Sequence, residues 1–392
     1  MSVTELTQKL VSFQSINPPG DESEAIAFLE HWLKDIGFDV QTFGFGDRRV
    51  NLVARYGPQQ SPVCLSGHID VVPLGVAPWA HDPFAGEIKD GRIYGRGSCD
   101  MKGGIAAFLI AVKNVLQDRK NLRNGILIII TGGEETGCTG ARALTEQISA
   151  PSASLLVIPE PTSNEPVIAH KGVAWLKLVA KGKTAHGSMP EQGVNAITKM
   201  ARALISLETT PLPGDQHPVL GKATFNVGVI GGGLNTNSVA DLCWANVDIR
   251  LTPNCTAQDV EAWIAETAPD IKIEEILAQC PSVYTDPHEP NLSSVLTRLH
   301  DKGLIFHPEG KVTHTAPCAG HSHVEYDPAD DVSNAVYFTD ASILKFWLGD
   351  VPTLIIGPGD GFMAHKTDEY VEVEKLENSV AIFENIISDQ CL

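Results

Sequence analysis

The sequence predicts an α/β fold in which a mostly parallel sheet, flanked by helices, is accompanied by an inserted α+β domain. Short continuous runs of Val, Ile and Leu alternate with segments of helical periodicity, as in "NGILIIITGG", which follows "GGIAAFLIAVKNVLQD". Apolar runs of this kind between helices are typical of parallel strands covered on both faces. At 392 residues, the chain is also too long for one ordinary core, so two domains are expected.

The elements of the first domain follow from these patterns in chain order. Helices are expected where apolar residues recur at helical spacing, and strands where short apolar runs end in Gly, Pro or polar residues. The predicted elements are a helix at 23–38, strands at 51–57 and 62–68, a helix at 103–118, and strands at 124–133, 153–161 and 351–359.

From about Val173 the pattern changes to strand, helix and strand in mixed order. The segments are "AWLKLVAKGK", "GVNAITKMARALISL", "TFNVGVIGGG", "DLCWANVDIRLTP" and "TAQDVEAWIAETAP". They predict an α+β unit at 173–284, inserted between two pieces of the first domain at 1–172 and 285–392.

Composition excludes several classes of protein. A formal net charge of −19 argues against nucleic acid or an anionic membrane as partner. No apolar stretch approaches the roughly 20 residues of a membrane helix. The N-terminus has no charged segment leading into an apolar one, so a cytoplasmic location is expected. The eight cysteines are scattered without a CxxC pair, which favours reduced thiols over a disulfide framework or a cysteine zinc site.

The apolar runs share one feature at their ends. "VCLSGH" ends in His68, "LIIITGGEE" in Glu134 and Glu135, and "LLVIPE" in Glu160, while "TLIIGPGDGFMAH" reaches His365 after a Gly/Pro-rich loop. Ligands of open α/β sheets bind outside the carboxyl ends of the strands. The sequence therefore predicts that these side chains converge on one site.

Asp100 is a further candidate, because it lies in "YGRGSCDMKGG" just before a predicted helix. Histidine nitrogen with carboxylate oxygen suits Zn²⁺, and also Co²⁺ or Mn²⁺. Two histidines and three carboxylates exceed the needs of one catalytic zinc, and fit two metals that share a carboxylate. Asp70 is suited to orient His68, since a ligating histidine usually donates its other N–H to a carboxylate. Taken singly, each residue also has an ordinary interpretation, as a surface histidine or a solvated charge at a helix start.

The sequence resembles a metallopeptidase and deacylase family that includes acetylornithine deacetylase, succinyl-diaminopimelate desuccinylase, aminoacylase and glutamate carboxypeptidase. The matching stretches include "SGHIDVVP", "DGRIYGRGSCDMKGG", "GGEETGCTGA", "TAHGSMPEQGVNAI" and "GPG.....HKTDEYVE", which occur in the family's order over 64–372. The stretch "EPTSNEPVIAHKG" and the ending "YFTDASIL…GPG…AH" look most like the acetylornithine deacetylase branch.

The resemblance implies a role for each candidate residue. His68 and Glu160 would bind one metal, Glu135 and His365 the second, and Asp100 would bridge both. Glu134 would be the general base and Asp70 would orient His68. Two Zn²⁺ ions per chain are implied, for which Co²⁺ or Mn²⁺ would substitute.

The resemblance also identifies the inserted unit as a lid and dimerisation domain, and so implies a homodimer. His186 in "TAHGS" would reach the active site of the partner and bind the oxyanion; as a plain alternative it is a turn histidine. Asn237 and Arg250 match substrate-binding positions, Arg250 being suited to pair with a carboxylate bidentately. Alternatively, Arg250 bridges strands.

The expected function is hydrolysis of the amide bond of an N-acyl amino acid by a cytoplasmic, metal-dependent deacetylase of amino-acid biosynthesis. Alternatives are a succinyl-diaminopimelate desuccinylase, a carboxypeptidase or dipeptidase of the same family, and a non-catalytic binding protein. Every ligand and the base are present, which favours the enzyme. "FTDAS" at 338–342 resembles a loop on the substrate side. The stretch 312–331, which holds His314, Cys318, His321 and His323, is expected to be a polar surface loop; the alternative is an additional metal site, although the spacing matches no standard one.

Overall fold

A computed structural model of the chain describes residues 1–118, 121–305, 332–335 and 337–392. The chain divides into two compact units. The first consists of Met1–Ile168, Thr285–Asn334 and Thr339–Leu392, and the second of Ala169–Tyr284 and Ala335–Phe338. The sequence places the inserted unit at 173–284, whereas the second unit of the structure begins at Ala169 and also includes Ala335–Phe338.

The helices and strands are numbered in chain order. The helices are α1 (Val3–Val11), α2 (Ser23–Asp35), α3 (Gly103–Asp118), α4 (Thr139–Gln147), α5 (Ala196–Thr209), α6 (Ala257–Thr267), α7 (Pro290–Asp301), α8 (Ala341–Trp347) and α9 (Val373–Cys391). The strands are β1 (Asp39–Gly46), β2 (Arg49–Tyr56), β3 (Val63–His68), β4 (Glu87–Lys89), β5 (Arg92–Tyr94), β6 (Ile126–Thr131), β7 (Leu155–Ile158), β8 (Val167–His170), β9 (Gly172–Lys181), β10 (Thr224–Gly232), β11 (Leu242–Leu251), β12 (Ile271–Cys280), β13 (Val283–Tyr284), β14 (Ser333–Ala335), β15 (Thr353–Ile355) and β16 (Tyr370–Glu372).

The main sheet of the first unit has the strand order β1-β2-β6-β3-β7-β15-β8. Its central strands β6, β3, β7 and β15 are parallel, whereas β1, β2 and β8 pair antiparallel. All residues of β3 and β6 are buried, as expected for strands covered on both faces. The α/β class is confirmed. The antiparallel flank at β1 and β2 is a finding of the structure, and a short hairpin connection allows it.

A glycine brings α3 close to the strand that precedes Glu160. A Cβ atom on Gly104 would lie 2.2 Å from the carbonyl oxygen of Pro159, so only glycine allows this approach. The beginning of α3 is therefore fixed against the end of β7. Asp100 lies three residues before α3 and Glu160 two residues after β7, so this contact helps to bring the two carboxylates to one place.

The second unit contains a four-stranded antiparallel sheet with the order β10-β11-β9-β12. Alternate residues of β11 are buried, which is the pattern of a sheet with one covered face. Leu176, Leu178, Val247 and Ile249 form its core with residues of α5 and α6, Trp263 among them. The inserted α+β unit expected from the sequence is thus confirmed as part of the fold class.

Among the described residues, no helix has both the length and the apolar character that crossing a membrane requires.

Candidate metal centre

Three strands of the first unit deliver polar side chains to one edge of its sheet. β3 ends at His68, β6 is followed by a short turn that carries Glu134 and Glu135, and β7 is followed by Glu160. Because β3 is parallel to both β6 and β7, their carboxyl ends lie at the same edge. The polar cluster at this edge is the one anticipated from the strand ends.

Asp100 lies between two histidines. Its Oδ1 atom is 3.1 Å from Nε2 of His68, and its Oδ2 atom is 3.3 Å from Nε2 of His365. The two oxygens of one carboxylate thus face different imidazole rings. This is the arrangement that a carboxylate shared by two metal ions requires.

The remaining carboxylates extend the cluster on either side of Asp100. Nε2 of His365 is 3.1 Å from the carboxylate of Glu135, and Nε2 of His68 is 3.9 Å from Oε1 of Glu160. Ligand atoms of His68, Asp100 and Glu135 lie within 4.8 Å of one another, close enough to hold a metal ion. The His68 side chain is buried, whereas 53% of the His365 side chain is exposed.

Hydrogen bonding sets the orientation of the His68 ring. Its Nδ1 atom lies 3.0 Å from the backbone carbonyl of Asp70 and 3.6 Å from the Asp70 carboxylate. A carbonyl oxygen can only accept, so Nδ1 carries the proton and donates it. In the neutral ring Nε2 is then the atom with a free lone pair, and it faces Asp100, as a metal ligand must.

Asp70 itself is fully buried and is held from three directions. Its carboxylate accepts hydrogen bonds from the side chain of Asn17 at 2.8 Å and from the backbone N–H groups of Glu134 and Glu135 at 3.2 and 3.3 Å. Asn17 also donates to Thr136 at 3.0 Å. Sequence reasoning missed Asn17, since nothing near it in the chain indicates a partner that lies 53 residues away.

Electrostatics indicates that carboxylates are crowded in the cluster. Burial raises the pKa of both Glu134 and Glu160 well above the usual carboxyl range, and neighbouring carboxylates raise it further. Burial also raises the pKa of Asp100, but hydrogen bonds from His365 and His68 outweigh burial and hold it below its ordinary value. Hydrogen bonds to Asp100 and Glu135 raise the pKa of His365 to about 10.

The donor set fits divalent cations. Carboxylates outnumber imidazoles, all donors are nitrogen or oxygen, and buried carboxylates of this number are costly unless cations neutralise them. Two cations that share one carboxylate would satisfy both the charge and the positions of the two Nε2 atoms.

The other residues expected at the site belong to the second unit. His186 is exposed, and its Nδ1 atom lies 2.7 Å from Oγ of Ser188. The segments of His186 and Asn237 are adjacent, because the N–H of Gly187 donates to the carbonyl of Asn237 at 2.7 Å. Arg250, partly buried in β11, pairs with Asp248 on the same strand at 3.0 Å.

The stretch 338–342 is divided between the two units. Phe338 contacts Trp175 edge to face within the second unit. In the first unit, buried Asp340 accepts a hydrogen bond from Thr131 at 2.5 Å, at the end of β6. Burial raises the pKa of Asp340 to about 6. The histidine-containing stretch 312–331 lies outside the described residues.

Comparison with known proteins gives related enzymes of similar length. The sequence model of peptidase family M20/M25/M40 matches residues 64–389. Acetylornithine deacetylase of Proteus mirabilis is 28% identical over 408 residues, which cover 99% of this chain and 96% of the relative. Acetylornithine deacetylase of Vibrio parahaemolyticus is 30% identical over 390 residues, which cover 97% and 95%.

Solved structures resemble the whole chain. An aminopeptidase of Bacillus cereus superimposes with a TM-score of 0.72 at 23% identity, covering 99% of this chain and 97% of its own. A Bacillus subtilis protein described as a dinuclear metal binding peptidase from family M20 gives a TM-score of 0.68 at 14% identity, covering 98% and 97%. At these identities the likeness establishes a common fold.

Proposed function

The chain belongs to peptidase family M20/M25/M40, and we propose that it is a deacylase of N-acyl amino acids of the acetylornithine deacetylase type. As a member of this family it is a metal-dependent amidohydrolase. The proposal rests on the position of Asp100. Its two carboxylate oxygens lie 3.1 and 3.3 Å from the Nε2 atoms of His68 and His365. Two relatives named acetylornithine deacetylase, which align with this chain over nearly their whole length, support the choice of substrate.

Two Zn²⁺ ions are the proposed cofactor, with Co²⁺ or Mn²⁺ as substitutes. The ligands would be His68, Asp100 and Glu160 for one ion, and Asp100, Glu135 and His365 for the other. When bound, the ions acidify the attacking water and polarise the amide carbonyl. This ligand assignment accounts for the short distances around Asp100 and for the presence of several buried carboxylates at one sheet edge.

Glu134 is proposed as the general base. It is buried beside the ligands, and its backbone is fixed by the bond to Asp70. In this role the Glu134 carboxylate takes a proton from the water and later gives it to the leaving amine. Nearby cations would lower the pKa of the Glu134 carboxyl and keep it ionised in the resting state. Asp70 holds His68 in the tautomer that binds metal.

Substrate contacts are proposed for three residues of the second unit. His186 has Nδ1 engaged with Ser188, which leaves Nε2 available to donate to an oxyanion. Asn237 lies beside it with an exposed side chain. Arg250 would pair with the carboxylate of the amino acid, an interaction that competes with its present partner, Asp248.

We propose a homodimer that forms through the second unit. β10 is an edge strand of the sheet, and Val229 and Ile230 on it are 51% and 53% exposed. An edge strand with exposed apolar side chains is a surface that pairs readily with another chain. In such a dimer His186 would serve the active site of the partner.

A cytoplasmic location and a role in amino-acid biosynthesis complete the proposal. The seven cysteines within the described residues are all buried thiols, which suits a reducing compartment. The substrate is a small N-acylated amino acid, with neither nucleic acid nor membrane as partner.

Hydrolysis of a substrate panel tests the proposal. Protein reconstituted with Zn²⁺ or Co²⁺ is assayed with N-acetylornithine, N-succinyl-diaminopimelate, N-acetylmethionine and a dipeptide, and each reaction is repeated with chelator. We expect N-acetylornithine to be the preferred substrate and chelator to abolish its hydrolysis. Preference for the succinylated substrate would make the protein a desuccinylase instead. Preference for the dipeptide would make it a dipeptidase. Hydrolysis that chelator leaves unchanged would contradict the two-metal mechanism.

A further inference from the structure

A buried ion pair contacts the backbone of two candidate ligands, Asp100 and His365. Nη1 of Arg96 is 2.6 Å from Oε2 of Glu369, and the two side chains are only 2% and 1% exposed. Neither residue is among the candidate metal ligands. Because removing either partner of a buried pair leaves the other charge unpaired, the two residues act as one unit.

The other carboxylate oxygen of Glu369 holds the segment that carries Asp100. Oε1 accepts hydrogen bonds from the backbone N–H groups of Gly97, Cys99 and Asp100, at 3.0, 2.9 and 3.1 Å. A single oxygen therefore accepts hydrogen bonds from three N–H groups within four consecutive residues. This fixes the backbone of Asp100 and, with it, the place of its carboxylate.

The guanidinium of Arg96 holds the segment that carries His365. Its Nη1 atom also donates to the backbone carbonyl of Lys366 at 3.2 Å, and its Nη2 atom to the carbonyls of His365 and Pro73 at 3.4 and 3.2 Å. Pro73 follows Asp70 by three residues, so the segment after β3 is attached to the same group.

A guanidinium is required for this set of contacts. Its planar fork presents several N–H donors at fixed angles, whereas the ammonium of lysine is a compact charge that cannot reach acceptors on both sides at once. Burial excludes the water that would otherwise replace a lost donor. The ion pair thus links the Asp100 segment to the His365 segment through side chains.

We propose that Arg96 and Glu369 are positioning residues that set the distance between Asp100 and His365, and thereby the affinity for the metal ion that these two residues share. The proposal rests on the proposed function, in which Asp100 and His365 are metal ligands. It adds two residues that touch neither metal nor substrate and act through the backbone of the ligands.

Arg96→Lys tests the proposal, since it keeps the positive charge beside Glu369 and loses the fork. Metal-free protein is titrated with Co²⁺, and the visible absorption spectrum and the two dissociation constants are recorded. We expect one of the two dissociation constants to rise roughly 10- to 100-fold, with a changed spectrum for the bound Co²⁺. Arg92→Lys is the matched control, because the Arg92 side chain is 39% exposed and its distance of 3.9 Å from Glu372 makes a loose ion pair. The Arg92→Lys variant should bind both ions as wild type does.

Two further variants separate the possible outcomes. His365→Ala should lose one ion; if it binds both with unchanged affinity, the ligand assignment is wrong and the proposed function loses its main support. If His365→Ala loses one ion while Arg96→Lys binds both as wild type does, the positioning role is overturned and the ligand assignment stands. Should Arg96→Lys fail to fold, Glu369→Gln gives the same readout, because glutamine keeps an acceptor for the three N–H groups but places a donor against Arg96.

Discussion

The backbone N–H of Glu134 donates a hydrogen bond to the carboxylate of Asp70, over a distance of 3.2 Å. The same Asp70 orients the ring of His68 through its backbone carbonyl, at 3.0 Å. One buried residue therefore positions both a candidate metal ligand and the candidate base. Its side chain is in turn held by Asn17, so the geometry of the site depends on a residue from the N-terminal segment.

Replacing Asn17 by alanine should lower activity. The Asn17→Ala variant removes the only side-chain amide that donates to Asp70 among the described residues, and Asp70 then no longer holds His68 and Glu134 as firmly. Changes of this kind in the partners of metal ligands typically cost roughly 10–100-fold in activity or metal affinity. Steady-state kinetics with metal titration measures both.

A matched control exists in helix α3. Asn114 donates to Glu384 of α9 at 2.7 Å, so Asn114→Ala also removes an amide that donates to a carboxylate, but Glu384 is neither a candidate ligand nor the residue that positions one. This control should keep wild-type activity. Equal losses in the two variants would mean that the effect of Asn17→Ala comes from general destabilisation.

We expect Asp340 to make the stability of metal-free protein depend on pH. Burial raises its folded-state pKa to about 6, above the ordinary aspartate value of 3.8. The stability that this shift contributes is therefore complete below the unfolded-state pKa and is lost as the pH rises through about 6. Asp340→Asn removes this dependence and keeps an acceptor for the hydroxyl of Thr131.

The measurement is denaturant unfolding of chelator-treated protein at about pH 5 and pH 8. We expect the stability of Asp340→Asn relative to wild type to increase by roughly 1–2 kcal/mol between the two pH values, an order-of-magnitude figure based on the size of the pKa shift. A difference that stays constant over this range would mean that Asp340 titrates equally in the folded and unfolded protein.

The candidate residues that the sequence indicates are those with a recognisable local pattern beside them. His68 and Glu160 each follow a short apolar run, so the ends of two buried strands identify them. The structure brings both to Asp100, which the glycine-rich segment before α3 indicated. Local pattern sufficed here because a parallel sheet places its strand ends together whatever the connections between them.

The supporting residues needed the three-dimensional structure. Asn17 lies 53 residues from Asp70, and Glu369 lies 269 residues from Asp100. Nothing in the sequence near either residue specifies a partner so distant, because the pairing depends on how the loops fold over the sheet. The antiparallel pairing of β1 and β2 was likewise not evident, since apolar runs do not reveal strand direction.

Complementation between two inactive variants tests the dimer and the role of His186. We expect His186→Ala and Glu134→Gln each to be nearly inactive alone. If His186 serves the partner's site, a mixed dimer has one site with both the base and His186 intact. Co-refolded or co-expressed subunits in equal amounts should then recover about a quarter of wild-type activity, because half of the dimers are mixed and one of their two sites works.

Absence of recovery in dimers shown to be mixed would place His186 and Glu134 in the site of the same chain. A fully active monomer would contradict the proposed dimer as well. His186→Gln serves as a companion variant, since its amide can still donate a hydrogen bond and should retain more activity than His186→Ala.

The most direct test of the account is the hydrolysis rate of N-acetylornithine by Glu134→Gln, measured beside wild type after the metal content of both has been determined. Glutamine keeps the shape of the side chain but cannot take up the proton of the attacking water. We predict two metal ions per chain in both proteins and a turnover roughly 10²–10⁴-fold lower in the variant. Near-wild-type turnover with the same metal content would contradict the assignment of Glu134 as the base, and with it the proposed mechanism.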